Sequence, residues 1–175
     1  LALYGATPVA LVHDLHPGYL STRWAVEEGA KRKLPLFPIQ HHYAHIGSVM
    51  AEHGLREKVI GVAFDGTGYG TDGNLWGGEF LLAGIDGFER VGQFKYIPLP
   101  GGEAAIREPW RTAVGYVADA EGAQAASRLA AMGFTEQYGQ TSIEQVLKIA
   151  GSRDLSPFSS GAGRLFDAVS ALLGV

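Results

Sequence analysis

The fold is decided by residues 36–70, which carry the sequence LFPIQHHYAHIGSVMAEHGLREKVIGVAFDGTGYG. A short apolar run at residues 36–39 is followed by a helix-forming stretch and by a second, uninterrupted apolar run at residues 59–64. An apolar run of this length, bounded by turn residues, is typical of a buried strand. The helix is expected at residues 42–53, because Gly54 is suited to its C-terminal cap. The stretch therefore predicts strand, helix and strand.

The flanking sequence extends this pattern. Residues 8–12 predict another strand and residues 20–33 another helix, giving a β-α-β-α-β order that favours a parallel sheet. Residues 80–85 and 88–96 are separated by Asp-Gly, a strong hairpin signal, so antiparallel strands are expected to join the sheet. Helices are expected at residues 109–120, 123–132, 142–150 and 164–173. The sequence thus predicts an α/β fold with a mixed sheet and a helical insertion.

Composition limits the class of protein. A chain of 175 residues with 46% hydrophobic content can form one globular domain or part of one. The net charge of −4, with scattered basic residues, argues against a nucleic-acid partner. The absence of cysteine excludes disulfides and thiolate metal sites within the chain and agrees with a cytoplasmic protein. The apolar opening is too short to cross a membrane and has no basic leader, so no membrane partner is expected.

His41 and His45 suggest half of a metal site. Side chains four residues apart lie on the same face of a helix, so two imidazoles can reach one ion. Nitrogen ligands suit Zn²⁺ or Fe, and at least one further ligand is needed. The HExxH motif of metalloproteases is absent. The alternative is an ordinary polar helix face.

A glycine-rich segment, DGTGYGTDG at residues 65–73, follows the buried strand. Glycines let backbone N–H groups approach an anion, and open α/β sheets bind ligands at the carboxyl ends of their strands. The segment therefore predicts a phosphate cradle, although it fits neither a Walker A loop, a Rossmann fingerprint nor an EF-hand. The alternative is a wide turn in which Asp65 and Asp72 act as caps; otherwise these carboxylates hold a divalent cation, with Mg²⁺ among the candidates.

Two later patches carry further polar residues. Residues 100–111 run from a glycine pair into a helix that begins at Pro109, where free N–H groups and Arg111 can contact phosphate or carboxylate. The alternative is a surface loop with a Glu108–Arg111 ion pair. Residues 159–167 place small residues before a helix on which Arg164 and Asp167 share one face. A plain capped helix explains this second patch equally well.

Six motifs, taken in order, resemble the C-terminal carbamoyltransferase region of the HypF family of hydrogenase maturation proteins. They are HDLHPGYLSTR at 13–23, QHHYAH at 40–45, DGTGYG at 65–70, WGGEF at 76–80, PGG at 100–102 with EPWR at 108–111, and GRLFDAV at 163–169. The resemblance covers nearly the whole chain. It implies an actin-like, ASKHA (ribonuclease H-like) fold whose second half is incomplete, as a partial TsaD-like domain. Its first lobe would span about residues 1–107 and its helical segment about 108–175, with no further domain.

The resemblance also implies a reaction. In the family, upstream zinc-finger and YrdC-like regions make carbamoyl-adenylate from carbamoyl phosphate and ATP. The region resembled here transfers the carbamoyl group to the C-terminal cysteine of the partner protein HypE, and the product becomes a cyanide ligand of nickel–iron hydrogenase. We expect these 175 residues alone to be inactive. The alternatives are a TobZ- or TsaD-like carbamoyl or threonylcarbamoyl transferase, and a non-catalytic actin- or Hsp70-like nucleotide-binding module.

The resemblance finally implies roles for individual residues. It makes His41 and His45 ligands of Zn or Fe, with a third ligand, an aspartate, beyond Val175. The remaining expectations are Asp65, His13 and Asp14 as catalytic residues; Gly66, Thr67, Gly68, Gly70, Gly101 and Gly102 as contacts to ATP or carbamoyl-adenylate; and Glu108, Arg111, Arg164 and Asp167 as substrate contacts.

Overall fold

The structure is a computed structural model that describes residue 5 and residues 7–175. It contains a two-stranded parallel sheet, a five-stranded mixed sheet and a helical segment. In chain order the elements are β1 (Leu11–Asp14), α1 (Leu20–Arg32), β2 (Leu36–Ile39), α2 (His41–Glu52), β3 (Val59–Tyr69), β4 (Leu75–Gly84), β5 (Gly87–Gln93), β6 (Ile97–Pro98), α3 (Glu103–Arg107), α4 (Pro109–Glu121), α5 (Ala125–Ala131), α6 (Phe134–Tyr138), α7 (Gln140–Ala150), β7 (Phe158–Ser159) and α8 (Ala162–Leu173).

The first unit is a β-α-β crossover. Strands β1 and β2 pair in parallel from Leu11 opposite Leu36 to Asp14 opposite Ile39, and α1 connects them. The predicted helix at residues 20–33 is confirmed and ends at Arg32, followed by Lys33 as a C-cap with a left-handed backbone. Strand β1 starts later than predicted and continues through His13 and Asp14. Asp14 therefore stands at the carboxyl end of β1, beside the start of α2.

Helix α2 begins directly after β2 and lies against β3. Its N-cap is Gln40, whose side chain accepts a hydrogen bond from the backbone of Tyr43 at 2.9 Å. A Cβ atom on Gly61 of β3 would lie 2.3 Å from the Ile46 side chain of α2, so the glycine permits the close contact. The apolar core between α2 and the mixed sheet contains Ile46, Met50, Ala63, Trp76, Leu81 and Ala83.

Strand β3 does not join the parallel sheet, so the predicted β-α-β-α-β sheet is wrong at its third strand. β3 instead pairs antiparallel with β4, with Val59 opposite Ala83. The reason is the tight turn that follows, in which the Gly70 N–H donates to the Asn74 carbonyl at 2.9 Å and returns the chain along β3. An apolar run shows that a strand is buried but not which strand it pairs with.

The glycine-rich segment is also different from the prediction. Gly66 and Gly68 belong to β3, with Gly66 inside and Gly68 at the end of an irregular stretch of register between Phe64 and Gly68, so they lie in a strand and not in a loop. The actual turn covers residues 70–74. The backbone of β3 is therefore held by β4 on one side as it approaches the candidate site.

The rest of this sheet contains both parallel and antiparallel strand pairs, as predicted for a mixed sheet. β4 and β5 form the predicted hairpin around Asp86 and Gly87, with Gly87 opposite Gly84. β4 also pairs in parallel with β7, and β7 pairs antiparallel with β6. Strands β6 and β7 are two residues long each, which is too short for a periodic pattern to reveal them.

The helical segment surrounds α4, which packs against α5, α7 and α8. Its core contains Ala113, Val114, Val117, Ala125, Leu129, Phe134, Ile143, Val146 and Ala168. The four predicted helices are confirmed with shifted ends, whereas α3 and α6, at five residues each, were not predicted. No helix in the described part of the chain is long and apolar enough to cross a membrane.

A glycine seam, formed by Gly66, Gly77, Gly161 and Gly163, joins the helical segment to β3 and β4. A Cβ atom on Gly163 would lie 2.8 Å from the Gly66 Cα, and one on Gly161 would lie 2.5 Å from the Gly66 carbonyl oxygen. A Cβ atom on Gly77 would lie 2.5 Å from the Asp65 carbonyl oxygen. Backbone therefore lies directly on backbone, and the first turn of α8 is held against the end of β3.

We predict that Gly163→Ala lowers the free energy of unfolding by about 2 kcal/mol, because the new methyl group meets backbone that cannot rotate away. The matched control is Gly47→Ala in α2, where a Cβ atom would meet nothing within 4 Å. Alanine favours a helix over glycine, so the control should be neutral or stabilising by up to about 1 kcal/mol. Urea denaturation measures both, and equal stabilities of the two variants would contradict the seam.

Candidate metal centre

The two histidines of α2 meet as the helical spacing predicts. The Nε2 atoms of His41 and His45 lie 3.2 Å apart. The side chain of His41 is 28% exposed and that of His45 is 61% exposed, so the pair opens to solvent on one side. This geometry allows one ion to reach both rings.

Asp65 completes a three-ligand cluster. Its Oδ2 atom lies 3.1 Å from His41 Nε2 and 3.9 Å from His45 Nε2, and one ligand atom from each of the three residues falls within 4.8 Å of the others. Two imidazoles and one carboxylate suit Zn²⁺ or Fe, and three protein ligands leave a coordination position open for substrate. The resemblance places the third ligand beyond Val175, but Asp65 can supply one within the chain.

Asp14 orients His41 and is not itself within the cluster. The Oδ2 atom of Asp14 lies 2.7 Å from His41 Nδ1, and its Oδ1 atom accepts the backbone N–H of His16 at 2.8 Å. A carboxylate on one nitrogen of a metal-binding imidazole fixes the proton there and leaves the other nitrogen free for the ion. The structure thus gives Asp14 an orienting contact to His41, and the catalytic role of Asp14 stays a prediction.

His13 is not brought to the cluster by any hydrogen bond of the described residues. Its Nδ1 atom donates to the carbonyl oxygen of Asp14 at 2.7 Å. His16 stabilises the following turn, because its Nδ1 atom accepts the backbone N–H of Gly18 at 3.0 Å. The catalytic role of His13 remains a prediction.

The expected phosphate-binding residues separate into two groups. Gly66 lies beside Arg164, since a Cβ atom there would lie 3.2 Å from the guanidinium nitrogen Nη2. Arg164 is 12% exposed and its Nη1 atom lies 3.0 Å from Asp167 Oδ2. Among the described residues, its Nε atom is buried and has no hydrogen-bond partner. Gly66, Arg164 and Asp167 are thus brought together next to Asp65.

The other predicted contacts have structural roles or lie elsewhere. Gly68 leaves room for the ring of His42, and Gly70 belongs to the turn before β4. The amides of Gly101 and Gly102 donate to the carbonyls of Leu155 and Leu99, so they are not free to bind a phosphate.

No hydrogen bond or ion pair within residues 7–175 connects the remaining candidates to the histidine cluster. Glu108 and Arg111 form an ion pair with each other, and the Arg111 guanidinium lies 4.9 Å from the ring centroid of Trp110. This is the surface-loop alternative given above for residues 100–111. Thr67 lies on β3, and its proposed contact to the nucleotide stays a prediction.

Asp72 caps the turn and does not join a metal cluster. Its carboxylate accepts hydrogen bonds from Trp76 Nε1 at 2.9 Å and Tyr96 Oη at 2.6 Å, and it pairs with Arg90 at 3.2 Å. Burial alone would raise the pKa of Asp72, but these hydrogen bonds, that of Tyr96 first, lower it to about 2. The capping alternative for Asp72 therefore fits its contacts.

Glu79 is a buried residue that sequence reasoning did not assign. It is fully buried, pairs with Arg90 Nε at 2.6 Å, and accepts the backbone N–H groups of Gly77 at 3.0 Å and Gly78 at 3.2 Å. The hydroxyl of Ser160 donates to the same carboxylate. Glu79 thereby ties β4 to the segment before α8. The signal was present in the WGGEF motif, where an acidic residue stands inside an apolar strand.

His42, in the QHHYAH motif, is the second residue for which the sequence suggested no role. It lies beside the cluster, with its Nε2 atom 3.9 Å from Asp65 Oδ2, and is fully buried. Burial is the main reason that its pKa falls to about 4, with smaller lowering contributions from His41 and His45. Its ring is therefore neutral at neutral pH.

Two family models match the chain. The model described as "Carbamoyltransferase, Kae1-like Domain, second subdomain" matches residues 61–175, and the model described as "HypF Kae1-like domain" matches residues 1–52. The two matches together include α2 and, from Gly61 onward, the part of β3 that carries Asp65.

Curated relatives match over most of this chain. It is 44% identical over 172 residues to carbamoyltransferase HypF2 of Cupriavidus necator, covering 95% of this chain and 20% of that protein. It is 44% identical over 170 residues to a carbamoyltransferase HypF homolog of the same organism, covering 95% and 41%. With carbamoyltransferase HypF of Rhizobium leguminosarum bv. viciae it shares 40% over 164 residues, covering 93% and 20%. The chain thus spans between about a fifth and two fifths of these relatives.

Two solved structures share the fold. A full-length HypF in the phosphate- and nucleotide-bound form superposes with a TM-score of 0.82 at 44% identity, covering 96% of this chain and 25% of that one. The HypF of T. kodakarensis superposes with a TM-score of 0.80 at 40% identity, covering 95% and 22%. These similarities agree with an α/β fold that has a mixed sheet.

We predict that metal-free protein loses stability as the pH falls from 6.5 to about 4. In this range the unfolded histidine at position 42 binds a proton that the folded protein excludes, because burial lowers the folded pKa from 6.5 to about 4. Above pH 6.5 this effect leaves the free energy of unfolding unchanged. Below about pH 4 it has lowered the free energy of unfolding by about 3 kcal/mol. Denaturation at several pH values in EDTA measures it.

The slope of the free energy of unfolding against pH should become flatter between pH 6.5 and about 4 in His42→Gln. The control is His53→Gln, which removes an exposed histidine just after α2 and should leave the slope unchanged. A wild-type slope retained in full by His42→Gln would show that His42 is not the group responsible.

Proposed function

Because the chain belongs to the HypF carbamoyltransferase family, we propose that it forms the metal-binding part of a carbamoyl-transfer site in hydrogenase maturation. The donor is carbamoyl-adenylate, derived from ATP, and the acceptor is the C-terminal cysteine of a HypE-like protein. The thiol sulfur bonds to the carbamoyl carbon as the bond from that carbon to the AMP phosphate oxygen breaks. The electron pair of the broken bond leaves with AMP, and the thiol proton is released.

The observation that carries this proposal is the cluster of His41, His45 and Asp65 next to Asp14. The donor set fits a bound ion because the Asp14 carboxylate occupies His41 Nδ1 at 2.7 Å and leaves Nε2 facing Asp65 and His45. Two imidazole nitrogens favour Zn or Fe over Mg. When bound, the ion would act as a Lewis acid that stabilises negative charge on the departing phosphate.

The nucleotide side of the site is proposed at Gly66, Arg164 and Asp167. The guanidinium of Arg164 is mostly buried against Gly66, and its Nε donor lacks a partner among the described residues. A guanidinium with spare donors suits a phosphate, which it can bind through two parallel hydrogen bonds. Asp167, which pairs with Arg164 at 3.0 Å, holds the guanidinium in place.

We extend the proposal to the superfamily of the fold and to the cellular compartment. Three antiparallel strands, β3 to β5, followed by a helical segment that returns through α8 fit part of one lobe of an actin-like, ASKHA fold. A cysteine-free chain is compatible with a reducing cytoplasm, where the acceptor thiol would also be free. The zinc-finger and YrdC-like regions of the family would supply carbamoyl-adenylate to this site.

We predict that the protein binds one Zn²⁺ per chain and that His41→Ala, His45→Ala and Asp65→Ala each abolish stoichiometric binding, because each removes a ligand. Asp14→Asn should weaken binding by roughly 10- to 100-fold while keeping the stoichiometry, since it changes only the orienting contact. Chelator competition and metal analysis measure these effects. His53→Ala is the control, and zinc binding that survives the loss of either cluster histidine would contradict the site.

The transfer itself is tested with full-length protein, ATP, carbamoyl phosphate and a HypE-like acceptor that ends in cysteine. Mass spectrometry should find one carbamoyl group on that cysteine, formed about 100-fold more slowly by His45→Ala than by His53→Ala, because the ion stabilises charge in the transition state. An acceptor that ends in serine should remain unmodified. Equal rates for the two variants would contradict the proposal, and transfer to a hydroxyl acceptor alone would favour a TobZ- or TsaD-like enzyme.

A further inference from the structure

The side chain of His42 contains a buried donor without a partner. The residue is fully buried, and its Nε2 atom has no hydrogen bond to any described residue. Native proteins pair nearly all buried polar groups, and an exception calls for an explanation. The Oδ2 atom of Asp65 lies 3.9 Å from Nε2.

The tautomer of His42 follows from its neighbour Gln40. The Oε1 atom of Gln40 accepts the backbone N–H of Tyr43 at 2.9 Å, so the other end of the amide is the NH₂ group. That NH₂ group donates to the Tyr69 carbonyl at 3.1 Å and lies 3.0 Å from His42 Nδ1. Since it has only hydrogens to offer, Nδ1 must accept, and the ring proton is on Nε2.

The ring is also held in place by the end of β3. A Cβ atom on Gly68 would lie 2.3 Å from His42 Cε1 and 3.0 Å from Nε2, so the ring lies directly on the glycine backbone. The Trp76 ring lies 6.2 Å away, centroid to centroid. The Nε2–H of His42 is therefore fixed in direction as well as in protonation.

We propose that His42 is a positioning residue for Asp65, whose Oδ2 accepts the His42 Nε2–H. The proposal rests on the proposed function, in which Asp65 is a ligand of the ion. Closing 3.9 Å to a hydrogen bond of about 2.9 Å requires a shift of about 1 Å between the His42 ring and the Asp65 carboxylate, which is 31% exposed. The opposite oxygen, Oδ1, is already held by the Gly66 N–H at 2.6 Å. Held at both oxygens, the carboxylate faces His41 and His45 in one orientation.

The first test is NMR of the wild-type protein without metal, with ¹⁵N-labelled histidine. His42 should show a protonated Nε2 and an unprotonated Nδ1, and Asp65→Ala should move the Nε2 proton resonance upfield by removing its acceptor. A proton on Nδ1, or an Nε2 resonance that Asp65→Ala leaves unchanged, would overturn the inference. Neither NMR measurement requires zinc, so a failure of the His42–Asp65 hydrogen bond is distinguished from a failure of the proposed metal site.

The second test compares two substitutions by zinc affinity. The side-chain amide of His42→Gln can place an N–H near the position of Nε2, whereas that of His42→Asn reaches only the position of Nδ1. Wild-type protein and His42→Gln should bind Zn²⁺ with similar affinity, and His42→Asn about tenfold more weakly. Urea denaturation gives the stability of each variant. Equal zinc affinities for Gln and Asn at equal stability would overturn the positioning role.

Discussion

The candidate site depends on the direct contact of α2 with β3. Two positions of β3 that face α2 are glycines, and a Cβ atom on either would come within 2.3 Å of a side chain, Ile46 at Gly61 and His42 at Gly68. A larger residue would push the helix outward by displacing well-packed groups. The imidazoles of α2 and the carboxylate that ends the apolar run of β3 can face each other only at this separation.

Polar side chains around this contact form hydrogen bonds with residues of several strands and helices. Asp14, at the end of β1, reaches His41 from one side, and Gln40 reaches both His42 and the backbone of β3 from another. Within β4, Glu79 accepts hydrogen bonds from the backbone of the same strand and from Ser160. Each buried group that is paired in this way adds directional constraint, which apolar packing alone does not provide. The ligands are thus held by elements from three parts of the chain.

The sequence alone predicted those features that depend on residues close together in the chain. Helical spacing predicted that His41 and His45 meet, and Asp-Gly predicted the hairpin of β4 and β5. It did not predict contacts between residues that are far apart in the chain. The motifs predicted Asp14 and Asp65 as catalytic residues. Their contacts with His41, however, depend on how β1 and β3 are placed around α2. The pairing of β3 with β4 likewise depends on a turn whose geometry no periodicity describes.

The central claim, that α2 and β3 together form a metal site, is tested most directly by crystallography of zinc-loaded protein with diffraction data on both sides of the zinc absorption edge. The account predicts one anomalous peak within bonding distance, about 2.0–2.2 Å, of His41 Nε2, His45 Nε2 and a carboxylate oxygen of Asp65. A peak located elsewhere, or no peak in protein that is otherwise folded as described, would contradict it.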